Sequence, residues 1–126
     1  MQHAKILIVE DESVTALGIK HKLERLGYTV IGTESSGEGA IKKSMQLSPN
    51  LILMDIVLKG DMDGIQAADK INQTLNIPII YLTAYSDDEL LERAKKTHPY
   101  GFIIKPFSDA ELLDAVQTAL KRKSSA

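Results

Sequence analysis

The chain contains no cysteine. Disulfide staples, thiol nucleophiles and cysteine-ligated zinc are therefore excluded, and a reducing compartment is compatible with the composition. No apolar run approaches the roughly 18 residues that a membrane span requires. No excess of basic charge is present either: the formal net charge is -2, so the overall electrostatic footprint of a nucleic-acid binder is missing. Internal repeats, low-complexity stretches and linker-like segments are absent as well. The first strand pattern begins almost at the first residue, so no signal peptide is expected. What remains is a 126-residue chain, 44% hydrophobic and 25% charged. That balance fits one globular domain, expected over residues 1–126, with enough apolar content for its own core. A cytoplasmic location is expected, with no membrane contact.

Apolar runs alternate with segments of helical period. Lys5–Glu10 reads as a strand, and Val14–Leu26 as a helix with Ala16, Ile19, Leu23 and Leu26 on one stripe. Gly27 is placed to close that helix. Strand Tyr28–Thr33, helix Gly37–Leu47, strand Leu51–Ile56 and helix Ile65–Leu75 follow. Strand Pro78–Thr83 precedes a helix that starts around Ser86-Asp87-Asp88-Glu89 and runs to about Thr97. Gly101–Ile104 is the fifth strand. Ser108 with Glu111 three residues later is a capping-box pattern for the last helix, which buries Leu112, Leu113, Val116 and Leu120. Residues 122–126 are expected to fray. Strict alternation of strands and helices, with near-continuous apolar strands, predicts a parallel sheet covered on both faces. The expected architecture is a flavodoxin-like, doubly wound, five-stranded parallel sheet of order 2-1-3-4-5 with five helices. Its ligand crevice lies at the carboxyl ends of strands 1 and 3.

Polar groups capable of chemistry stand where those strands run out. The first strand ends in Glu10-Asp11, the third in Asp55, the fourth in Thr83, and the fifth is followed by Lys105-Pro106. In a parallel sheet all of them gather at one edge. Acids just past strand ends are common, because loops are polar, and threonine is an ordinary strand residue. Asp55 is harder to dismiss, since it extends a strand expected to be buried on both faces. Three carboxylates at one place repel each other and call for a cation. Mg²⁺ prefers a tight octahedron of oxygens, part of it water and phosphate. Asp11 and Asp55 are the expected direct ligands. Glu10 binds directly or through water, and a backbone carbonyl just after Asp55, that of Val57, completes the set. Asp55 then serves as a carboxylate nucleophile toward a phosphoryl group. Lys105 and the Thr83 hydroxyl face the phosphoryl oxygens.

With these residues in view, the chain resembles the receiver domain of two-component response regulators over essentially its whole length. The matching features are Ile8-Val9-Glu10-Asp11-Glu12, Leu53-Met54-Asp55-Ile56, Met62-Asp63-Gly64, Leu82-Thr83-Ala84 and Lys105-Pro106-Phe107. The resemblance implies phosphoryl transfer to Asp55 from a phosphohistidine on a sensor histidine kinase or histidine phosphotransfer protein. It also implies a cis peptide before Pro106 and a switch in which Thr83 and Phe102 move together, altering the surface offered to a downstream protein or output domain. Direct nucleic-acid binding is not expected, nor enzymatic activity beyond the domain's own phosphorylation and dephosphorylation.

Two departures from the family pattern are visible. The loop 56–64 is one residue longer than in many relatives and lacks their usual proline, and His98-Pro99-Tyr100-Gly101-Phe102 lacks the acidic pair that many DNA-binding relatives carry. Tyr85, two residues past Thr83, is expected to shield the phosphoryl group from water. The three histidines, His3, His21 and His98, are not spaced as a metal cluster. Competing readings are weaker. A haloacid-dehalogenase-type phosphatase carries a second aspartate where Val57 stands. A flavin carrier needs a Ser/Thr/Gly-rich phosphate loop where Glu10-Asp11-Glu12 stands. A receiver-like module that has lost phosphorylation would not need the intact acid, threonine and lysine set. No output domain is visible after the last helix, so the expectation is a stand-alone receiver or a piece of a longer chain such as a hybrid kinase.

Overall fold

A computed structural model describes residues 4–84 and 88–125. Five strands alternate with five helices: β1 (Lys5–Val9), α1 (Ser13–Arg25), β2 (Thr29–Glu34), α2 (Gly37–Leu47), β3 (Leu51–Asp55), α3 (Gly64–Thr74), β4 (Ile79–Thr83), α4 (Asp88–Lys95), β5 (Gly101–Ile104) and α5 (Asp109–Ser125). The strands form one sheet in the order β2-β1-β3-β4-β5, every neighbouring pair parallel. This is the flavodoxin-like architecture that the alternation predicts.

The two-residue period of the strands divides the core. Ile6 and Ile8 of β1, Leu51 and Leu53 of β3, Ile80 and Leu82 of β4 and Ile103 of β5 pack with Ala16, Ile19 and Leu23 of α1 and Leu112, Val116 and Ala119 of α5. The alternate residues Leu7, Val9, Ile52, Met54, Ile79 and Tyr81 pack with Ala40 of α2, Ala67, Ala68 and Ile71 of α3, and Ala94 of α4. Because both faces are covered, β3 and β4 are buried at every position. A fully buried aliphatic side chain contributes about 1.5–3 kcal/mol, so such continuous apolar runs are affordable only in central strands. β2 is an edge strand with mostly half-buried residues, and its pairing with β1 slips by one at Ile6/Leu7.

Helix ends follow local chemistry. After α1 the Gly27 amide donates to the Glu24 carbonyl and the Tyr28 amide to the Leu23 carbonyl, with Gly27 at φ 95. This is the Schellman arrangement, and glycine takes its left-handed position without a Cβ penalty. The capping box of α5 is present in both directions: Ser108 N–H to Glu111 Oε1 at 2.9 Å, and Glu111 N–H to Ser108 Oγ at 3.1 Å. α5 runs on to Ser125, past residue 122 where the sequence predicts a frayed tail. Tertiary contacts hold it: Arg122 donates to the Tyr100 carbonyl at 2.9 Å and lies 4.5 Å over the Tyr100 ring, and Lys123 reaches the Asn76 carbonyl at 3.0 Å. α4 ends at Lys95, two residues before the expected Thr97. The expected start of that helix at Ser86-Asp87 lies outside the described residues.

Candidate phosphoacceptor site

β1 and β3 are adjacent while β2 and β4 leave to opposite sides. The crevice at their carboxyl ends is where this topology opens a ligand site. Glu10 follows β1 directly; its amide donates to the Glu34 carbonyl at 2.9 Å, and its side chain is buried. Asp55 is the last residue of β3, opposite Leu82 of β4, and is 6% exposed. Asp11 is half-buried one residue beyond Glu10. Glu10, Asp11 and Asp55 each bring one carboxylate oxygen within 4.8 Å of the others.

Lys105 is delivered from β5. Its backbone amide donates to the Thr83 carbonyl at 2.8 Å, and its peptide bond to Pro106 is cis. The ammonium donates to Glu10 Oε1 at 2.5 Å and to Asp55 Oδ2 at 2.9 Å. Burial alone would pull its pKa down. The hydrogen bonds and charges of Glu10 and Asp55 outweigh that effect and hold the amine above its ordinary value. The second oxygens are also engaged: the Glu12 amide donates to Glu10 Oε2 at 3.1 Å, and the Val57 amide to Asp55 Oδ1 at 3.3 Å. Three carboxylates face one ammonium, which leaves the cluster short of positive charge. Hard oxygen donors with that deficit fit a divalent cation of the Mg²⁺ type.

The comparisons with known proteins agree with this geometry. A family model described as "Response regulator receiver domain" matches residues 6–117. The chain belongs to this family. Among curated relatives of the receiver domain, the "Transcriptional regulatory protein PdtaR" of Mycobacterium tuberculosis is 33% identical over 118 residues, 94% of this chain and 57% of that protein. The "Transcriptional regulatory protein LiaR" of Bacillus subtilis is 34% identical, with 93% and 56% covered. The domain thus spans a little over half the length of these relatives. Among solved structures, the signal receiver domain of a modulated diguanylate cyclase from Desulfovibrio desulfuricans G20 superposes with a TM-score of 0.91 at 35% identity, covering 97% of each chain. The N-terminal domain of a response regulator/sensory box/GGDEF 3-domain protein from Carboxydothermus hydrogenoformans gives 0.89 at 37% identity, covering 96% and 97%. The chain is thus a receiver domain of the two-component response-regulator type.

The receiver structure brings Glu10, Asp11, Asp55 and Lys105 together, as their strand-end positions predict. Thr83 ends β4 and is 8% exposed. Val57 has its side chain in solvent, at 65% exposure, while its amide rests on Asp55. Phe102 is half-buried against the α2–α4 side of the core, its ring centroid 5.8 Å from that of Tyr81. Tyr85 and His3 lie outside the described residues. His21 is exposed on α1, and His98 follows α4 with φ 55. Sequence reasoning placed Asp63 in a family motif but missed its contacts: it caps α3 by accepting from the Gln66 amide at 2.8 Å and also takes Arg93 of α4 at 3.1 Å. Its signal was legible: an Asp with Gln three residues later is a capping box. The Arg93 contact has no sequence signal.

Proposed function

We propose that Asp55 accepts a phosphoryl group from a phosphohistidine of a sensor histidine kinase or histidine phosphotransfer protein. The observation that carries this reading is the Lys105 ammonium bridging Glu10 and Asp55 beside a third carboxylate, all at the sheet's switch point. A carboxylate oxygen of Asp55 attacks phosphorus, the P–N bond to the imidazole breaks, and the ring nitrogen keeps the electron pair. Asp11 and Asp55 would hold Mg²⁺ directly, with Glu10 and the Val57 carbonyl as further ligands. When bound, Mg²⁺ supplies charge neutralisation and a template for in-line displacement. Lys105 is a compact charge already at the acceptor, and Thr83 offers a hydroxyl from the neighbouring strand.

Thr83 and Phe102 form the proposed readout. A hydroxyl drawn toward phosphorylated Asp55 frees space next to β5, and Phe102 re-packs. The altered surface then controls a downstream protein or output domain, in keeping with relatives of which the matched region is only a little over half. The names of those relatives as transcriptional regulators concern whole proteins. In the present reading this domain itself touches neither nucleic acid nor membrane and works in the cytoplasm, as a switch whose only chemistry is its own phosphorylation and dephosphorylation. Among the described residues no helix is long and apolar enough to cross a membrane.

Intact mass after incubation with Mg²⁺ and acetyl phosphate tests the proposal. One added phosphoryl group is expected, absent with EDTA and absent in Asp55→Asn. An adduct that persists in Asp55→Asn would move the acceptor elsewhere. Failure of the parent both to gain mass and to bind beryllofluoride would overturn the reading.

A further inference from the structure

The loop that follows Asp55, residues 56–63, is fastened to the neighbouring β2–α2 corner. Leu58 is 8% exposed within the core, and Lys59 pairs with Ser36 in an isolated parallel bridge. Ser36 is at the same time the N-cap of α2, accepting from the Gly39 amide at 3.0 Å. Met62 is packed against the first residue of α2. A Cβ added at Gly37 would stand 2.9 Å from Met62 Cγ, 3.0 Å from its Sδ and 3.2 Å from its Cβ. The root of the methionine, not only its flexible tip, therefore occupies the space that any other residue at position 37 would fill. The far end of the same loop caps α3 through Asp63. Its near end donates the Val57 amide to Asp55 Oδ1 at 3.3 Å. The segment touching the acceptor carboxylate is thereby held from both ends, with the Met62–Gly37 contact as the link to α2.

We propose that Met62, seated in the notch left by Gly37, is a positioning residue that sets the loop against Asp55 and so tunes divalent-cation affinity at the carboxylate cluster. This rests on the reading of that cluster as a Mg²⁺ site. Met62 touches neither cation nor phosphoryl group; it acts through the loop. A packed contact has discrete arrangements, so displacing one side chain moves the loop rather than compressing it.

The test is calorimetric titration of the full chain with Mg²⁺, alongside thermal unfolding, for the parent, Gly37→Ala, Met62→Ala, the double variant and Met62→Leu. Each of the first two single variants is expected to bind Mg²⁺ roughly fivefold more weakly, the lower end of coupling between linked sites. The double variant should fall well short of the product of the two losses, because both act through one contact. Met62→Leu should stay close to the parent. A purely structural role would change the unfolding temperature and leave the affinity of the folded protein untouched. Parental affinity in both single variants, or fully multiplicative losses in the double variant, would overturn the inference while the cation site stands. A parent that binds no Mg²⁺ would overturn the cation site and the inference with it.

Discussion

Replacing Asp11 with asparagine should make the metal-free protein more stable. One carboxylate oxygen from each of Glu10, Asp11 and Asp55 lies within 4.8 Å of the others, and Lys105 is hydrogen-bonded to the other two acids, not to Asp11. At that separation each like-charged pair costs about 3.5 kcal/mol with an effective dielectric constant of about 20. Asparagine keeps the shape and removes two repulsive pairs against one attraction to the ammonium. The balance is about one pair's worth, which solvent at the half-exposed Asp11 screens to roughly 1–2 kcal/mol. For a chain of this length that corresponds to a rise in unfolding temperature of about 3–8 °C. The assay is thermal unfolding followed by circular dichroism, in EDTA at low salt and again with Mg²⁺ in excess. The parent should gain about 2.7 kcal/mol at a hundredfold excess over its dissociation constant, and Asp11→Asn far less, so the order of stabilities narrows or reverses. An Asp11→Asn variant no more stable than the parent in EDTA would refute the reasoning, because the cluster would then be balanced without a cation.

Two further outcomes follow from buried and capping groups. Tyr81 has its pKa pushed up to about 12, chiefly by burial, with the hydrogen bond to Thr97 working the other way and the charges of Asp63 and Asp69 adding to the rise. Between about pH 10 and 12 the unfolded chain then holds fewer protons than the folded one, so stability is full below that window and falls through it by roughly 2–3 kcal/mol. Urea unfolding of Tyr81→Phe should show a shallower alkaline decline, with the part due to Lys105 retained, since the raised pKa of that amine also contributes stability that is lost above its ordinary value. Chemical denaturation should also separate the two ends of the Asp63–Arg93 contact. Asp63→Ala should cost about 1 kcal/mol through the lost cap of α3, and Arg93→Ala about 0.5 kcal/mol or less, because its side chain is 47% exposed. Equal losses would refute that division.

The fold was legible in the sequence because each element states its own period. Helix Gly37–Leu47 and strand Gly101–Ile104 fall on the predicted bounds, and the remaining described bounds differ by a residue or two. The exception with a tertiary cause is the end of α5. Its basic residues look like a solvated tail, yet Arg122 and Lys123 find partners more than twenty residues away in the chain. The same limit hid Met62 and Arg93. A methionine in a polar loop carries no local mark of its contact with Gly37, and an arginine on an exposed helix face carries none of its ion pair with Asp63.

What the sequence determined by itself was the identity and placement of the polar groups at the strand ends. An apolar strand ending in an acid puts that acid at the sheet edge, whatever the packing around it, because strand direction and strand order leave it nowhere else. Only the tertiary structure decided which atoms meet. Lys105 is 95 residues from Glu10 and 50 from Asp55. Its choice of both carboxylates as partners, the seating of Phe102 on Tyr81 and the fastening of the loop after Asp55 to α2 are distances between elements. Such distances are fixed by side-chain packing across the sheet, which no local pattern encodes.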